Sequence, residues 1–376
     1  MSGMTAVREL GAEFTRREVV PHLQRWEDDG AVPRELHAAA AQQGLLGVGF
    51  AAEVGGEGGD LLDTIDLQEG MLAAGASSGL MAALFTHGIA LPHLAVTGDA
   101  DLVDRFVRPT LAGETIGSLA VTEPGGGSDV AALRTTAVRD GDHYVVNGAK
   151  AFITSGSRAD FVTTAVRTGG PGHGGISLLV VEKGTPGFTV DRVLAKTGWH
   201  CSDTADLGFA DARVPVANLV GAEGTGFLQI AEQFVVERLA LAVHAYGIAG
   251  RSLALTAQHC RERETFGKPL VANQVVRHTL VEMHRRVEVA RTYVREVARR
   301  HVAGESVIAE ACLAKQTACE AADVVTDRAV QLHGGTGYLH GTEVERHHRD
   351  ARLLPIGGGS TEVLTDLAAR LLGYTT

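Results

Sequence analysis

The sequence predicts an α+β protein in three consecutive zones: helices, then strands, then helices again. Three observations carry this. In residues 1–117 the blocks ELGAEFTRREVVPHLQRWE, ELHAAAAQQGLLG and LLDTIDLQEGMLAAGA repeat their apolar positions with helical period, broken by Gly-rich loops such as EVGGEGG. From 118 to 220 the period shortens to that of strands: HYVV, AKAFIT, FVTTAVRT, GISLLVVEKG, FTVDRV and TADLGFADARVP follow closely, with Gly and Pro between them. From 221 onward helices return, and Val276, Leu280, Met283, Val287, Ala290, Val294 and Val297 form a heptad seam. The expected domains are an N-terminal helical domain (1–117), a middle β-barrel (118–220) and a C-terminal helical bundle (221–376).

Within the middle zone, Asn147-Gly148 between HYVV and AKAFIT is the residue pair of a two-residue hairpin turn, so a hairpin is expected there. In the last zone, the alanine-rich stretch IAEACLAKQTACEAADVVTDRAVQL offers small residues for close helix–helix approach.

Composition narrows the functional classes. A chain of 376 residues with 45% apolar and 21% charged residues can bury more than one core. A net charge of −11 argues against nucleic acid or an anionic membrane as the main partner. The four cysteines, Cys201, Cys260, Cys312 and Cys319, form no CxxC pair and read as reduced, buried thiols. The N-terminal stretch mixes acids and bases without an apolar h-region, and no run approaches the length of a membrane span, so a cytoplasmic protein is expected.

The glycine-rich motifs are ambiguous by themselves. TEPGGGSD (122–129) places Thr122, Ser128 and backbone N–H groups in a turn that can cradle a polar cofactor edge, and it equally describes any sharp loop. HGGTGY (333–338) follows a helix, and GAEGTG (221–226) has the wrong spacing, so neither is a dinucleotide fingerprint. His333, His340, His347 and His348 lack metal-ligand spacing, and the run VERHHRDAR is expected to be solvated; no metal is predicted.

Glu237 poses the sharper question. Its i±3 and i±4 neighbours are Phe234, Gln233, Ala240 and Leu241, so no cation stands where a helix ion pair needs one, and adjacent Arg238 points elsewhere. Gln229, Gln233, Glu237 and His244 share a polar stripe on an otherwise apolar wheel. Either the stripe is wet, or it lines a cavity in which burial raises the acid toward a working pH. The residues alone leave both readings open.

Taken in order, SLAVTEPGGGSDVAALRT, AKAFITSG, RETFGKPL with Asn273-Gln274, QLHGGTGY and RDARLLPIGGGSTEV resemble the signature blocks of the acyl-CoA dehydrogenases along nearly the whole chain. The resemblance implies FAD, usually a homotetramer, and electron-transfer flavoprotein as electron acceptor. It implies that Leu119, Val121, Thr122, Gly127 and Ser128 hold the flavin ring, with Ser128 also on the substrate side. Phe152, standing where many members have Trp, would stack with Ile153 beside it and Thr154 near the flavin. Arg263, Phe266 and Gln274, together with Gln331, Leu332, His333, Gly334 and Gly335, would reach a neighbouring subunit's FAD. Ser360, Thr361 and Glu362 match the last cofactor segment.

One departure bears on mechanism. Many members carry the catalytic glutamate at the position of Gly358. A minority, the isovaleryl- and long-chain-type members, place it in an ER pair on the bundle helix, where Glu237-Arg238 stands. The resemblance therefore implies Glu237 as base and Arg238, Gly358 and Gly359 on the acyl-CoA side. The expected reaction is FAD-dependent α,β-dehydrogenation of an acyl-CoA or acyl-carrier thioester. A flavin oxidase or monooxygenase, or a non-catalytic flavin- or acyl-CoA-binding relative, are the alternatives on the same fold.

Overall fold

The computed structural model describes residues 5–375; residues 1–4 of the first zone and residue 376 of the last lie outside the described residues. The N-terminal part is helical: α1 (Ala6–Phe14), α2 (Leu23–Asp29), α3 (Arg34–Gln42), α4 (Leu61–Ala74), α5 (Ser78–Leu84), and the short α6 (His87–Ala90), α7 (Pro92–Ala95), α8 (Ala100–Leu102) and α9 (Arg108–Leu111). Local chemistry sets these boundaries. Asp60 caps α4 by accepting from Leu62 N (2.6 Å), Asp63 accepts in return from Asp60 N (3.0 Å), and Gly75 at φ 115° ends the helix.

The strands are β1 (Gly117–Ala120), β2 (Thr136–Asp140), β3 (His143–Thr154), β4 (Phe161–Arg167), β5 (Ile176–Glu182), β6 (Phe188–Val193), β7 (Thr204–Pro215) and β8 (Leu219–Val220). They form one eight-stranded sheet in the order β6-β7-β3-β2-β4-β5-β8, with β1 parallel to β4. The end strands β6 and β8 do not pair with each other, and the sheet of this middle domain encloses a core of its own. Period-two patterning explains its double burial. On β5, Ile176, Leu178 and Val180 pack against Leu91, Leu94 and Phe106 of the N-terminal helices. The alternate residues Leu179 and Val181 join Tyr144, Val146, Val162 and Leu207 in the sheet's own core.

The hairpin expected at Asn147-Gly148 is not there. β3 runs unbroken through both residues, and the turn lies at Gly141 (φ 64°), between β2 and β3. Asn147-Gly148 marks a bulge instead, where the β3–β7 register shifts. Asn147 exchanges hydrogen bonds with Asp211, and a Cβ on Gly148 would lie 2.6 Å from Thr135 Oγ1, so the glycine permits close strand approach.

The C-terminal part holds α10 (Gly226–Glu262), a hairpin of β9 (Glu264–Thr265) and β10 (Lys268–Pro269), α11 (Gln274–Val302), α12 (Ile308–His333), α13 (Glu343–Ala351) and α14 (Thr361–Leu371). The α11 seam is buried as its heptads require, apart from half-buried Leu280. Two expectations are corrected. By length and composition α10 reaches the threshold for a membrane span, with a window of mean hydropathy 1.2, but it is the bundle's central helix, packed against α4, α11, α12 and α13. VERHHRDAR is not a solvated run either. Arg346, His347 and Asp350 are buried, and Asp350 accepts from Trp199 N (2.7 Å), in the loop before β7, and from Gly79 N (3.3 Å), in the first turn of α5. All four cysteines are free and buried.

Candidate active site

Glu237 lies about three turns into α10. Among the described residues its side chain makes no hydrogen bond and no ion pair within 4 Å, yet protein surrounds it, and it retains partial contact with solvent. A group in that state faces an internal cleft rather than bulk water. Burial pushes its carboxyl above the ordinary value of 4.5, and the charges of Arg238 and Lys315 oppose that rise. One of these cations, Arg238, lies on α10 itself, and the other, Lys315, comes from α12. Arg238 is 7% exposed, its guanidinium lies 5.3 Å from the Phe234 ring centroid, and its Nε has no partner. The glycine run closes the other side: a Cβ on Gly358 (φ 63°) would fall 2.5 Å from Leu241 Cδ1 and 3.4 Å from Glu237 Oε1.

One turn earlier, Gln233 Nε2 donates to Gly88 O (3.2 Å), bridging α10 to α6. Phe227, Ile230, Phe234, Leu91 and Val121 share one apolar cluster, so this cleft wall adjoins the loop after β1. His244, two turns further along the polar stripe, is buried and held neutral, its imidazole pulled down to about 4 by burial.

The loop 121–135 and strand β3 are locked together. Ala151 N donates to Thr122 O (2.9 Å), and Ser118 Oγ donates to Thr154 O (2.6 Å). Beneath them, the buried Lys150 Nζ donates to Val121 O (3.1 Å) and Glu123 Oε1 (2.8 Å), while the Glu123 carboxylate accepts from Arg134 N (2.6 Å) and Thr135 N (2.9 Å). Burial pulls the Lys150 ammonium down to about 8 despite Glu123 beside it. Leu119, Val121, Thr122 and Thr154 are half-buried, Ile153 is buried, and Gly127 and Ser128 are exposed. Phe152 sits at φ 61°, strained for a bulky residue, with its ring 67% exposed. Strained backbone that displays a flat apolar ring suits a planar cofactor.

The remaining predicted residues lie elsewhere. Arg263 ends α10, some 26 residues beyond Glu237 and so about 39 Å along the helix. Phe266-Gly267 form the tip of the β9–β10 hairpin, both at positive φ (51° and 77°), with Phe266 fully exposed. His259 stacks on His333 with centroids 4.3 Å apart, bringing the ends of α10 and α12 together. Gln331, Leu332, Gly334 and Gly335 stand there, and exposed Gln274 opens α11 just after the hairpin. This cluster cannot touch a ring held near Glu237 of the same chain. Ser360 caps α14, Thr361 O accepts from Gln316 Nε2 (3.1 Å), and Glu362 is exposed. Sequence reasoning missed Glu123, Lys150 and Lys315. A signal for Lys315 existed, a single lysine among alanines and cysteines on a small-residue face.

Residues 4–114, 118–212 and 224–373 match the N-terminal, middle and C-terminal domains of acyl-CoA dehydrogenase in turn, and the chain belongs to that family. The mitochondrial long-chain specific acyl-CoA dehydrogenase of Rattus norvegicus is 37% identical, covering 96% of this chain and 85% of its own length. A solved structure from Mycobacterium smegmatis assigned to the acyl-CoA dehydrogenases is 58% identical, covers 99% and 98% of the two chains, and superposes with a TM-score of 0.98. The FAD complex of PigA, 26% identical over 99% and 98% of the chains, has a TM-score of 0.94. The protein is therefore an oxidoreductase of the class acting on CH–CH bonds, and its cofactor is FAD.

Proposed function

We propose that this enzyme desaturates an acyl thioester between its α- and β-carbons, with Glu237 as the base that takes the α-proton. The observation that carries this reading is Glu237 itself: a carboxyl on a central helix, without a partner, facing the cleft opposite Gly358, with its proton affinity raised by burial. Burial makes this carboxylate a stronger base than an exposed glutamate. Gly358, lacking a side chain, leaves the volume in which the α-carbon approaches the carboxylate. Arg238 contributes fixed positive charge beside the thioester as negative charge develops on its carbonyl. Bound FAD would supply the hydride-accepting chemistry, taking up the hydride that leaves the β-carbon.

The loop 119–128 and Phe152–Thr154 would hold the flavin ring. Arg263, Phe266, Gln274 and Gln331–Gly335 would serve the cofactor of a neighbouring subunit in a homotetramer, a division supported by the ~39 Å along α10. Electron-transfer flavoprotein is the proposed electron acceptor.

The test is anaerobic bleaching of the bound flavin by short, branched, long and aromatic acyl-CoA thioesters. Bleaching by one class supports dehydrogenation and names the substrate. A flavin that binds and stays oxidised with every thioester refutes the acyl-CoA reading.

A further inference from the structure

The mechanism above leaves one buried charge without a role. Lys315 sits about two turns into α12, 1% exposed. A buried ammonium is costly unless its donors are satisfied. Here they are met by the glycine run: Nζ donates to Gly357 O and, at 2.7 Å, to Gly359 O. Both acceptors flank Gly358, the residue that faces Glu237.

That turn needs to be held. Gly358 and Gly359 stand at φ 63° and 97°, conformations open to glycine and therefore also easily lost by it. Its space is limited on the cleft side, where a methyl group on Gly358 would displace the end of the Leu241 side chain and touch Glu237. A shift of the turn toward α10 would press on the carboxylate, and a shift away would widen the cleft. The two Lys315 hydrogen bonds fix the turn between these limits.

The same ammonium acts on Glu237 through space. The groups facing the pair are Arg238 from α10 and Cys312 and Cys319 from α12. Both thiols are pushed above their ordinary value by burial and stay neutral near pH 7. Arg238 and Lys315 are thus the two cations that favour an ionised Glu237.

We propose that Lys315 is a positioning residue for proton abstraction: it clamps the Gly357–Gly359 turn under the cleft and supplies a positive charge facing Glu237. This rests on the reading of Glu237 as base.

The experiment uses FAD-loaded wild type, Lys315→Met, Lys315→Gln and Glu237→Gln with whichever thioester bleaches the flavin. kcat, KM and the pH profile of kcat are measured for each. The ionised carboxylate is the active form, so kcat rises with pH through the Glu237 transition, and loss of a facing cation moves that limb upward. Lys315→Met is expected to lower kcat roughly ten- to a hundredfold, the scale of a misplaced reacting group. KM and FAD content should change little, and the acid limb should move to higher pH. Lys315→Gln keeps a donor for one carbonyl and should show the same limb shift with a smaller loss of kcat; it decides the matter where the methionine variant does not fold. A purely structural lysine would leave the limb in place. Wild-type kcat and an unmoved limb in the folded variants overturn the proposal. If Glu237→Gln alone retains near wild-type turnover, the base assignment has failed instead.

Discussion

Replacing Gly358 by alanine places one methyl group where the structure has least room for it. The residue adopts φ 63°, which costs an L-residue about 1–2 kcal/mol. The new Cβ would lie 2.5 Å from Leu241 Cδ1, well inside contact distance, and such overpacking adds about 1–3 kcal/mol. The sum is about 2–5 kcal/mol, and for a chain of this length an unfolding entropy of about 0.8 kcal/mol/K turns it into a fall of ~3–6 °C in Tm. Activity should suffer more than stability, because the side chain that must move, Leu241, stands one turn from Glu237 on the same face of α10. A comparison at Gly357 isolates the effect. Its Cβ would meet nothing nearer than Leu353 O at 3.9 Å, and its φ is not positive. Differential scanning calorimetry and kcat on the holoenzymes provide the assay. Gly357→Ala should stay within about 1 °C and twofold of wild type, as a substitution free of strain does. Equal effects at both positions, or a Gly358→Ala enzyme with wild-type kcat, would refute the steric argument.

Glu237→Gln should be more stable than wild type at neutral pH. The folded state raises this carboxyl above 4.5, so it holds a proton that the unfolded chain has released, and ionising it in the fold carries a cost that is complete above the raised value. The advantage of the amide should therefore shrink as pH falls toward 4.5, which melting curves between pH 4 and 8 would read. Lys150→Met strands the Glu123 carboxylate beneath the loop 121–135. Breaking a buried pair in this way costs about 3–5 kcal/mol, and the variant should melt lower and bind FAD more weakly by fluorescence titration, whereas unchanged affinity would free the loop from dependence on that pair. Where Glu123 stays ionised, burial working against it is outweighed by Lys150, Thr135 and Arg134, which hold it below the ordinary value. Its contribution is present above that ordinary value and fades as pH drops through the lowered one, so acid should weaken FAD binding in wild type more steeply than in a Glu123→Gln variant.

How much of this was legible in the sequence varies with the range of the interaction. Periodicity carries face and burial, so the seam from Val276 to Val297 and the double-sided β5 follow from local pattern alone. Glu237 stood out because the apolar residues around it lie within two turns of the same helix. Asn147-Gly148 misled because a hairpin turn and a bulge both use glycine's freedom; what separates them is the approach of Thr135, twelve residues earlier. VERHHRDAR misled for a similar reason, since the N–H groups of Trp199 and Gly79 that satisfy Asp350 come from other parts of the chain. Lys315 stood out only as a lone lysine on a small-residue face, and its role could not be read there because its acceptors are backbone carbonyls some forty residues away, which no side-chain pattern records. The two-part distribution of the predicted cofactor residues was implied by the resemblance, and the unbroken α10 between Glu237 and Arg263 gives it a distance.

The role of Glu237 is tested most directly by following the α-proton itself, apart from the redox step. Wild type and Glu237→Gln, both loaded with FAD, would be incubated in D2O with an acyl thioester whose β-carbon cannot yield hydride, and deuterium at the α-carbon followed by mass spectrometry. Wild type should exchange the α-proton, with an acid limb set by the raised Glu237 carboxyl, while Glu237→Gln should not exchange above the uncatalysed rate. Exchange at the wild-type rate in Glu237→Gln would contradict the account and move the base to another residue.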